Sequence, residues 1–427
     1  MKIKVKEIPF EQAEKLPHRP HKKPQKQNTF LRNIVNMYAS VDLKKVNFTF
    51  ESEHLDSISK DEPCLYLMNH SCFTDLLIAF KLISPKPFNI ICTQDGFVGK
   101  EWLLRALGCI PTRKFVNDPT LIRDILYTVR KLNSSILMYP EASYTFDGTA
   151  TPLPESLGKC IKHLGISVVM IRTYGAFLRD PLYNNLQLRK TDISAKMSVI
   201  ISKDEAKTLS TDDINNILKE NFTFDNLRWQ QKNGVRITEK FRADCLNRVL
   251  YKCPHCDVEG QMLGKGISIT CQNCGKTYTL KEDGYLQCEN GNGRFNHIPD
   301  WFAWERDCVR EEIVSGKYEL KTDVDIYMLK DFSCIYKVGS GTLIHNLDGF
   351  TLTGCGGRLQ YRQKPTASYS LYSDYYWYEI GDMICIGDTK NTYYCFPKEK
   401  GDIVAKARLA AEELYKLHKS RNKHNHR

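Results

Sequence analysis

Three sets of residues in this chain have types and spacings suited to chemistry. Asn69-His70 ends an apolar run, and Asp75 follows the histidine by five positions. Across a strand-to-helix turn a carboxylate can reach back to one imidazole nitrogen, fix the tautomer and leave the other nitrogen outward as a general base. Pro140, Glu141, Ala142 and Ser143 end another apolar run, while Arg113 and Lys114 place two positive charges together, the arginine as a fork suited to a bidentate grip on phosphate. Cys253 with Cys256 and Cys271 with Cys274 form two C-x2-C knuckles separated by 14 residues. Two such pairs complete a tetrahedral zinc shell with no open position, so the metal is expected to be structural and His255 to stay out of the shell. Each feature also has a plain reading: a histidine finishing a strand, a glutamate capping a turn, basic residues on a solvated face.

These side chains need elements to hold them. The runs 64–68, 88–92, 134–139 and 167–172 read as buried strands, with helices over 74–83, 98–107, 119–132 and 155–164 between them. That alternation predicts an α/β sheet covered on both faces. His70 then falls at the carboxyl end of a strand, where open α/β folds place their chemistry. Residues 18–29, rich in proline and basic residues, read as an extended segment, with folding expected from about residue 31. Beyond residue 250 the sequence turns short-stranded, glycine-punctuated and cysteine-bearing. From about 323 come strands rich in Tyr, Ile, Thr and Phe, closed by a helix over 402–418. That pattern suggests a small barrel of the pleckstrin-homology or GRAM type.

Four stretches occur in the order and spacing of one family. Asn69-His70 to Asp75, then Gly108 to Lys114 ("GCIPTRK"), then Tyr139 to Thr145 ("YPEASYT"), then the apolar stretch 167–176 resemble the four blocks of the glycerolipid acyltransferases, the family of 1-acylglycerol-3-phosphate acyltransferase. The resemblance covers roughly residues 35–205, and residues 147–159 resemble the segment after the third block in bacterial members of altered form. It implies an α/β fold with a mixed sheet flanked by helices; the knuckle spacing adds a zinc ribbon after it, and the later strand pattern a C-terminal β-barrel-like domain closed by a helix. The domains expected are a basic segment at 1–30, the acyltransferase at 31–245, the ribbon at 246–300 and a β-rich domain at 315–420. Pro140 and Glu141 keep the family's third block, while Ala142 stands for its glycine and Tyr144 for its arginine. The lost arginine normally helps hold the acceptor phosphate, a charge Arg113 and Lys114 are left to supply.

The implied reaction moves a fatty acyl group from acyl-CoA or acyl carrier protein to the hydroxyl of a lysophospholipid such as lysophosphatidate. His70 acts as base and Asp75 orients it, with Asn69, Arg113, Lys114, Pro140, Glu141, Ala142 and Ser143 at the substrate. Cys72 is assigned to packing, since a thiolate would need the base that His70 already supplies. The segment 96–108, with Phe97, Trp102, Leu103 and Leu104 beside Lys100 and Arg105, reads as a core helix or as one lying at a membrane interface.

Composition bounds the rest. At 427 residues, 42% hydrophobic and 26% charged, the chain is long enough for two or three folded domains. No apolar run approaches the roughly 18 residues of a membrane span, and Met1-Lys2-Ile3-Lys4 leads into polar sequence rather than a signal peptide. A cytoplasmic protein bound peripherally to a membrane is expected, its sixteen cysteines being free thiols or metal ligands. The net charge of +11 sits at the ends: nine Lys/Arg against three Glu in residues 1–34, seven against three acids in 401–427, and 45 against 44 elsewhere. Basic ends attract anionic membrane surfaces, or else they are frayed and solvated. A zinc-ribbon nucleic-acid regulator is the rival reading, but residues 245–300 hold six basic and six acidic residues, too balanced to track phosphates. A lipid-binding scaffold without catalysis is the other rival, disfavoured by intact His70, Asp75 and Glu141.

Overall fold

Alternate side chains of the apolar runs go to opposite faces of one sheet, and this builds the first half of the molecule. Leu65 and Leu67 pack into one buried cluster with Ile136, Val168 and Met170, whereas Tyr66 and Met68 pack into another with Leu137, Val169 and Ile171. Burial on both faces is what a strand without polar alternation requires. In the computed structural model, which describes residues 2–425 apart from 18, 60, 290, 400 and 401, with side chains to 421, this sheet has seven strands. Their order is Thr49–Glu53, Ser194–Ile201, Val168–Tyr174, Leu65–Met68, Ser135–Met138, Phe88–Thr93 and Cys109–Thr112. Ser194–Ile201 runs antiparallel to its neighbour Val168–Tyr174, so the sheet is mixed, and the five strands from Val168–Tyr174 onward are mutually parallel.

Helices Thr74–Ile83, Glu101–Ala106, Pro119–Lys131 and Ser156–Leu164 fill the expected gaps. Pro119–Lys131 shows why its boundary was legible: Asp118 accepts the N–H of Thr120 as a cap, proline sits in the first turn, and Arg130 and Lys131 close the last turn against the helix dipole. The strand Cys109–Thr112 lies inside the second sequence block, where no strand was expected. Consequently the parallel strands carry the segments starting at Asn69, Gln94, Arg113 and Tyr139 to a single carboxyl edge.

Residues 19–28 run without helix or strand, as expected, but folding begins well before residue 31 and the segment is not a frayed tail. Val5–Glu7 pairs parallel with Ile335–Lys337, and Phe10 and Ala13 are buried in the helix Phe10–Glu14. Further along, Arg19 stacks on Phe332 and pairs with Glu101, His21 meets Asp124 at 3.0 Å, and the Asn28 N–H reaches the Ala106 carbonyl. Strand pairing and ion pairs give this basic stretch partners that periodicity alone does not reveal.

A four-stranded antiparallel sheet, Met262–Lys265, Ser268–Cys271, Thr277–Leu280 and Leu286–Cys288, carries both cysteine knuckles at its end. After the helix Ile298–Val314 comes a second large sheet. Its order is Leu359–Gln363, Gly349–Gly354, Ile335–Asn346, Glu319–Met328, Thr392–Pro397, Gly381–Gly387 and Tyr372–Trp377, with Val5–Glu7 joined to it. The final helix, Ile403–Asn425, buries Val404, Ala405, Leu409, Ala410 and Leu414 and packs beside Ile298–Val314. Arg306 bonds Glu412 at 2.6 Å and Glu413 at 3.1 Å across that contact. The tip of the basic C-terminal end, residues 422–427, lies outside the described side chains. Among the described residues no helix is long and apolar enough to cross a membrane.

Candidate active site

His70 leaves the strand Leu65–Met68 with its backbone pinned on both sides. Its N–H donates to Glu141 Oε2 at 2.9 Å, and its carbonyl accepts from Thr145 N–H at 3.1 Å. The imidazole lies between two rings, Tyr139 with centroid at 4.2 Å and Tyr144 at 4.3 Å, and 18% of its side chain stays exposed. Nδ1 points at Asp75 Oδ2 from 3.5 Å, longer than a good hydrogen bond; catalytic contacts of this kind commonly tighten only around substrate.

Asp75 itself is fully buried. Oδ2 accepts the N–H groups of Ser71 at 2.6 Å and Cys72 at 3.0 Å, and Oδ1 accepts from the Thr173 hydroxyl at 3.3 Å. These donors fix the carboxylate in orientation. Burial lowers the pKa of His70, opposed by the hydrogen bond and charge of Asp75, while the charge of Lys114 lowers it further. The resting imidazole is therefore neutral at neutral pH, the state a general base needs.

With that geometry in hand, similarity to known proteins falls in the same place. The family model described as Acyltransferase matches residues 49–173. Residues 49–173 therefore resemble an acyltransferase domain. The chloroplastic 1-acyl-sn-glycerol-3-phosphate acyltransferase BAT2 of Brassica napus is 25% identical over 148 residues, which is 33% of this chain and 42% of that protein. This chain thus spans less than half the length of that curated relative. The 1-acyl-sn-glycerophosphate acyltransferase PlsC of Thermotoga maritima overlaps 45% of this chain and 78% of its own, at 13% identity and a TM-score of 0.35.

Several side chains expected at the substrate do other work in the acyltransferase domain. Asn69 bridges strands, its Oδ1 accepting from Thr173 N–H at 2.8 Å and its amide donating to the hydroxyls of Ser71 and Thr173. Glu141 was expected to meet the acceptor or a basic residue. Instead its Oε2 holds the His70 backbone, and its Oε1 accepts from Thr151 N–H at 2.7 Å and the Thr151 hydroxyl at 3.1 Å. Burial pushes the Glu141 carboxyl up to about 7 against the pull of those donors. Both residues brace the turn that carries His70. Pro140 is buried in the same turn, which closes through Ala142 N–H on the Tyr139 carbonyl at 3.0 Å. Ala142 takes a left-handed φ of 58°, the conformation a glycine adopts without strain.

Arg113 bonds Asp118 at 3.2 Å, and Lys114 is the more deeply placed cation, its Nζ 4.1 Å from the centre of the Tyr372 ring. Burial lowers the Lys114 pKa, and the charges of Asp95 and Asp374 raise it. Both cations line a cavity of about 420 Å³, mouth included, whose far wall is Ser368, Ser370 and Tyr372 of the C-terminal sheet region. Cys72 is buried, and desolvation with the nearby charge of Asp180 pushes its thiol well above the ordinary range, which fits packing and not nucleophilic attack.

Around His70, several buried polar atoms have no hydrogen-bond partner among the described residues: His70 Nδ1, Tyr139 Oη, Ser143 Oγ and Arg113 Nε. Native interiors rarely leave such groups unmet, so this turn region carries unused hydrogen-bonding capacity. Sequence reading missed Thr151, which sits ten residues past Glu141, and the whole contribution of the C-terminal region, whose residues carry no local signal of nearness to His70. Thr173 lay inside the fourth block without a role being assigned.

The four knuckle sulfurs, those of Cys253, Cys256, Cys271 and Cys274, all lie within 4.8 Å of one another and form a group able to hold a metal ion. No disulfide joins the described cysteines.

Proposed function

We propose that this chain transfers a fatty acyl group from a thioester, acyl-CoA or acyl carrier protein, to the hydroxyl of a lysophospholipid such as lysophosphatidate. The acceptor oxygen attacks the thioester carbonyl carbon while His70 Nε2 takes its proton. Asp75 stabilises the imidazolium, and collapse of the tetrahedral adduct breaks the carbon–sulfur bond, the proton passing from His70 to the departing thiolate. Both substrates sit together, so no acyl-enzyme is required. Arg113 and Lys114 hold the acceptor phosphate, and Ser143 Oγ and Tyr139 Oη are donors available to the substrates. The single observation that carries this reading is a neutral imidazole aligned on a buried carboxylate beside polar atoms that lack partners.

The metal is zinc in a structural role. Four thiolates at about 2.3 Å from one ion stand about 3.8 Å apart, and the Cys253–Cys274 and Cys256–Cys271 sulfur pairs are each 3.7 Å apart. With two paired knuckles on a small antiparallel sheet, this supports a zinc ribbon. The seven-strand antiparallel order ending in one long helix supports a domain of the pleckstrin-homology or GRAM type.

The protein works at the surface of an anionic membrane, peripherally bound on the cytoplasmic side. Support comes from the helix Thr29–Lys44, where Phe30, Ile34, Met37, Tyr38 and Val41 recur at helical spacing and are all exposed, Phe30 by 72%. Phe73, three residues beyond His70, and Trp102 are exposed as well. Apolar side chains on one helix face beside a lipid-handling site suit insertion at an interface.

The test is an acyl-transfer assay of the purified full chain across lysophosphatidate, glycerol 3-phosphate and lysophosphatidylcholine, with acyl-CoA and acyl carrier protein donors on anionic vesicles. Product with at least one acceptor supports the proposal. Absence of product with every pair, alongside retardation of DNA or RNA at moderate salt, overturns it in favour of a nucleic-acid regulator.

A further inference from the structure

Arg408 belongs to the C-terminal helix, 264 residues beyond Tyr144, yet it reaches the active-site loop. Nη1 donates to the Tyr144 carbonyl at 3.3 Å, the guanidinium carbon lies 4.5 Å above the Phe146 ring, and only 3% of the residue is exposed. Tyr144 is the residue whose ring covers His70. The charge of Arg408 is felt on both sides of the site, pulling down the Glu141 carboxyl and the Lys114 ammonium.

Its own countercharge is weakly engaged. Nε meets Glu412 Oε1 at 3.5 Å, but that carboxylate already accepts from Arg306 at 2.6 Å and Ser370 at 2.7 Å. Nη2 has no hydrogen-bond partner among the described residues. A buried guanidinium with one idle donor is costly unless something anionic completes it. Ser370, bonded to the same Glu412, also lines the cavity that holds Lys114. One buried carboxylate therefore links Arg408 to the wall of the cation-lined space.

We propose that Arg408 is a substrate-binding residue, which with Lys114 forms a two-armed site for the phosphate ester of a substrate. The acyltransferase domain lacks an arginine at Tyr144, and the C-terminal helix delivers one to the same loop from behind. The inference rests on the acyl-transfer reading above for the identity of the phosphate, but not for the existence of an anion site. It also gives the C-terminal region a chemical reason to be joined to the catalytic domain, because without its helix the site loses one cation.

The experiment uses the full chain and direct binding, followed by tyrosine and tryptophan fluorescence, with three ligands in neutral detergent micelles. Lysophosphatidate carries an acceptor phosphate, coenzyme A carries the donor's phosphates, and monoacylglycerol has the acyl chain without phosphate. R408Q is expected to bind lysophosphatidate on the order of ten- to a hundredfold more weakly, the scale of a lost charge-assisted hydrogen bond, and monoacylglycerol unchanged. R408K, which keeps charge but not the fork, is expected between the two. Loss confined to coenzyme A assigns the site to the donor and also supports an anion-binding arginine. Wild-type affinity for both phosphate ligands in R408Q, or equal loss of all three ligands, overturns the proposal. Should R408Q fail to fold, R408K carries the test: a three- to tenfold loss for a phosphate ligand is expected, and wild-type affinity refutes. Phosphate-dependent loss in a protein with no acyl transfer would leave the anion site standing while the proposed reaction fell.

Discussion

Replacing Glu141 by glutamine separates bracing of the base from contact with the acceptor. Two oxygens of the native side chain take three donors: His70 N–H on Oε2, and Thr151 N–H and hydroxyl on Oε1. A glutamine offers one oxygen and one NH2 group, so in either orientation its NH2 faces a buried N–H. A buried donor left unmet costs about 1–3 kcal/mol, and at about 2 kcal/mol the local opening equilibrium shifts by about thirtyfold. Measured at pH 8, where the wild-type carboxyl is ionised, hydrogen exchange of peptides covering His70 and Thr151 should accelerate by that factor while the strand at 194–201, paired on both sides, stays protected. Because the His70 backbone loosens and the acceptor is not touched, kcat should fall on the order of ten- to a hundredfold with acceptor KM unchanged. A raised acceptor KM with native kcat and unchanged exchange would refute the bracing role and return Glu141 to the substrate.

Other consequences are more local. Since burial lowers the His70 pKa, kcat/KM for the acceptor should rise with pH and level off below the ordinary imidazole value of 6.5; a plateau reached only well above 6.5 would mean an imidazole stabilised in its charged form. The same shift makes the contribution of His70 to stability full above 6.5 and declining as pH falls below it, because the unfolded chain binds the proton first. Ala142 at φ 58° should tolerate glycine within about 1 kcal/mol, whereas A142V should cost about 2 kcal/mol in thermal unfolding, since a β-branched side chain is poorly accommodated there. Changing Cys274 to serine should lower bound zinc from near one per chain and speed proteolysis within 250–289, with the seven-stranded sheet intact by hydrogen exchange. Full zinc in that variant would dismiss the four-sulfur site.

The acyltransferase sheet was legible because its strands are uninterrupted apolar runs. "CLYLM" has no polar position to solvate, so burial on both faces was the sole arrangement open to it. Cys109–Thr112 escaped notice because proline and threonine break that pattern in a strand held by a single neighbour. The His70–Asp75 pair and the knuckles were legible because their partners are close in sequence, within one turn or one small sheet. Asn69 and Glu141 stood out in the sequence, but their contacts with Thr173, Ser71, the His70 backbone and Thr151 were not legible there, since a motif does not report which atoms its residues touch. Lys6 and Arg408 show the remaining limit. Strand pairing at residues 5–7 and the reach of Arg408 to Tyr144 are contacts between distant segments, decided by domain packing that no local spacing encodes.

The His70 imidazole is the centre of the proposed chemistry, and the measurement that tests it is the acyl-transfer rate of H70A together with its zinc content. A general base is worth about a hundred- to ten-thousandfold in rate. The expected result is a loss in that range with native zinc and native exchange protection across the central sheet. An H70A protein that transfers acyl groups at the wild-type rate would contradict the assignment of His70 as the base.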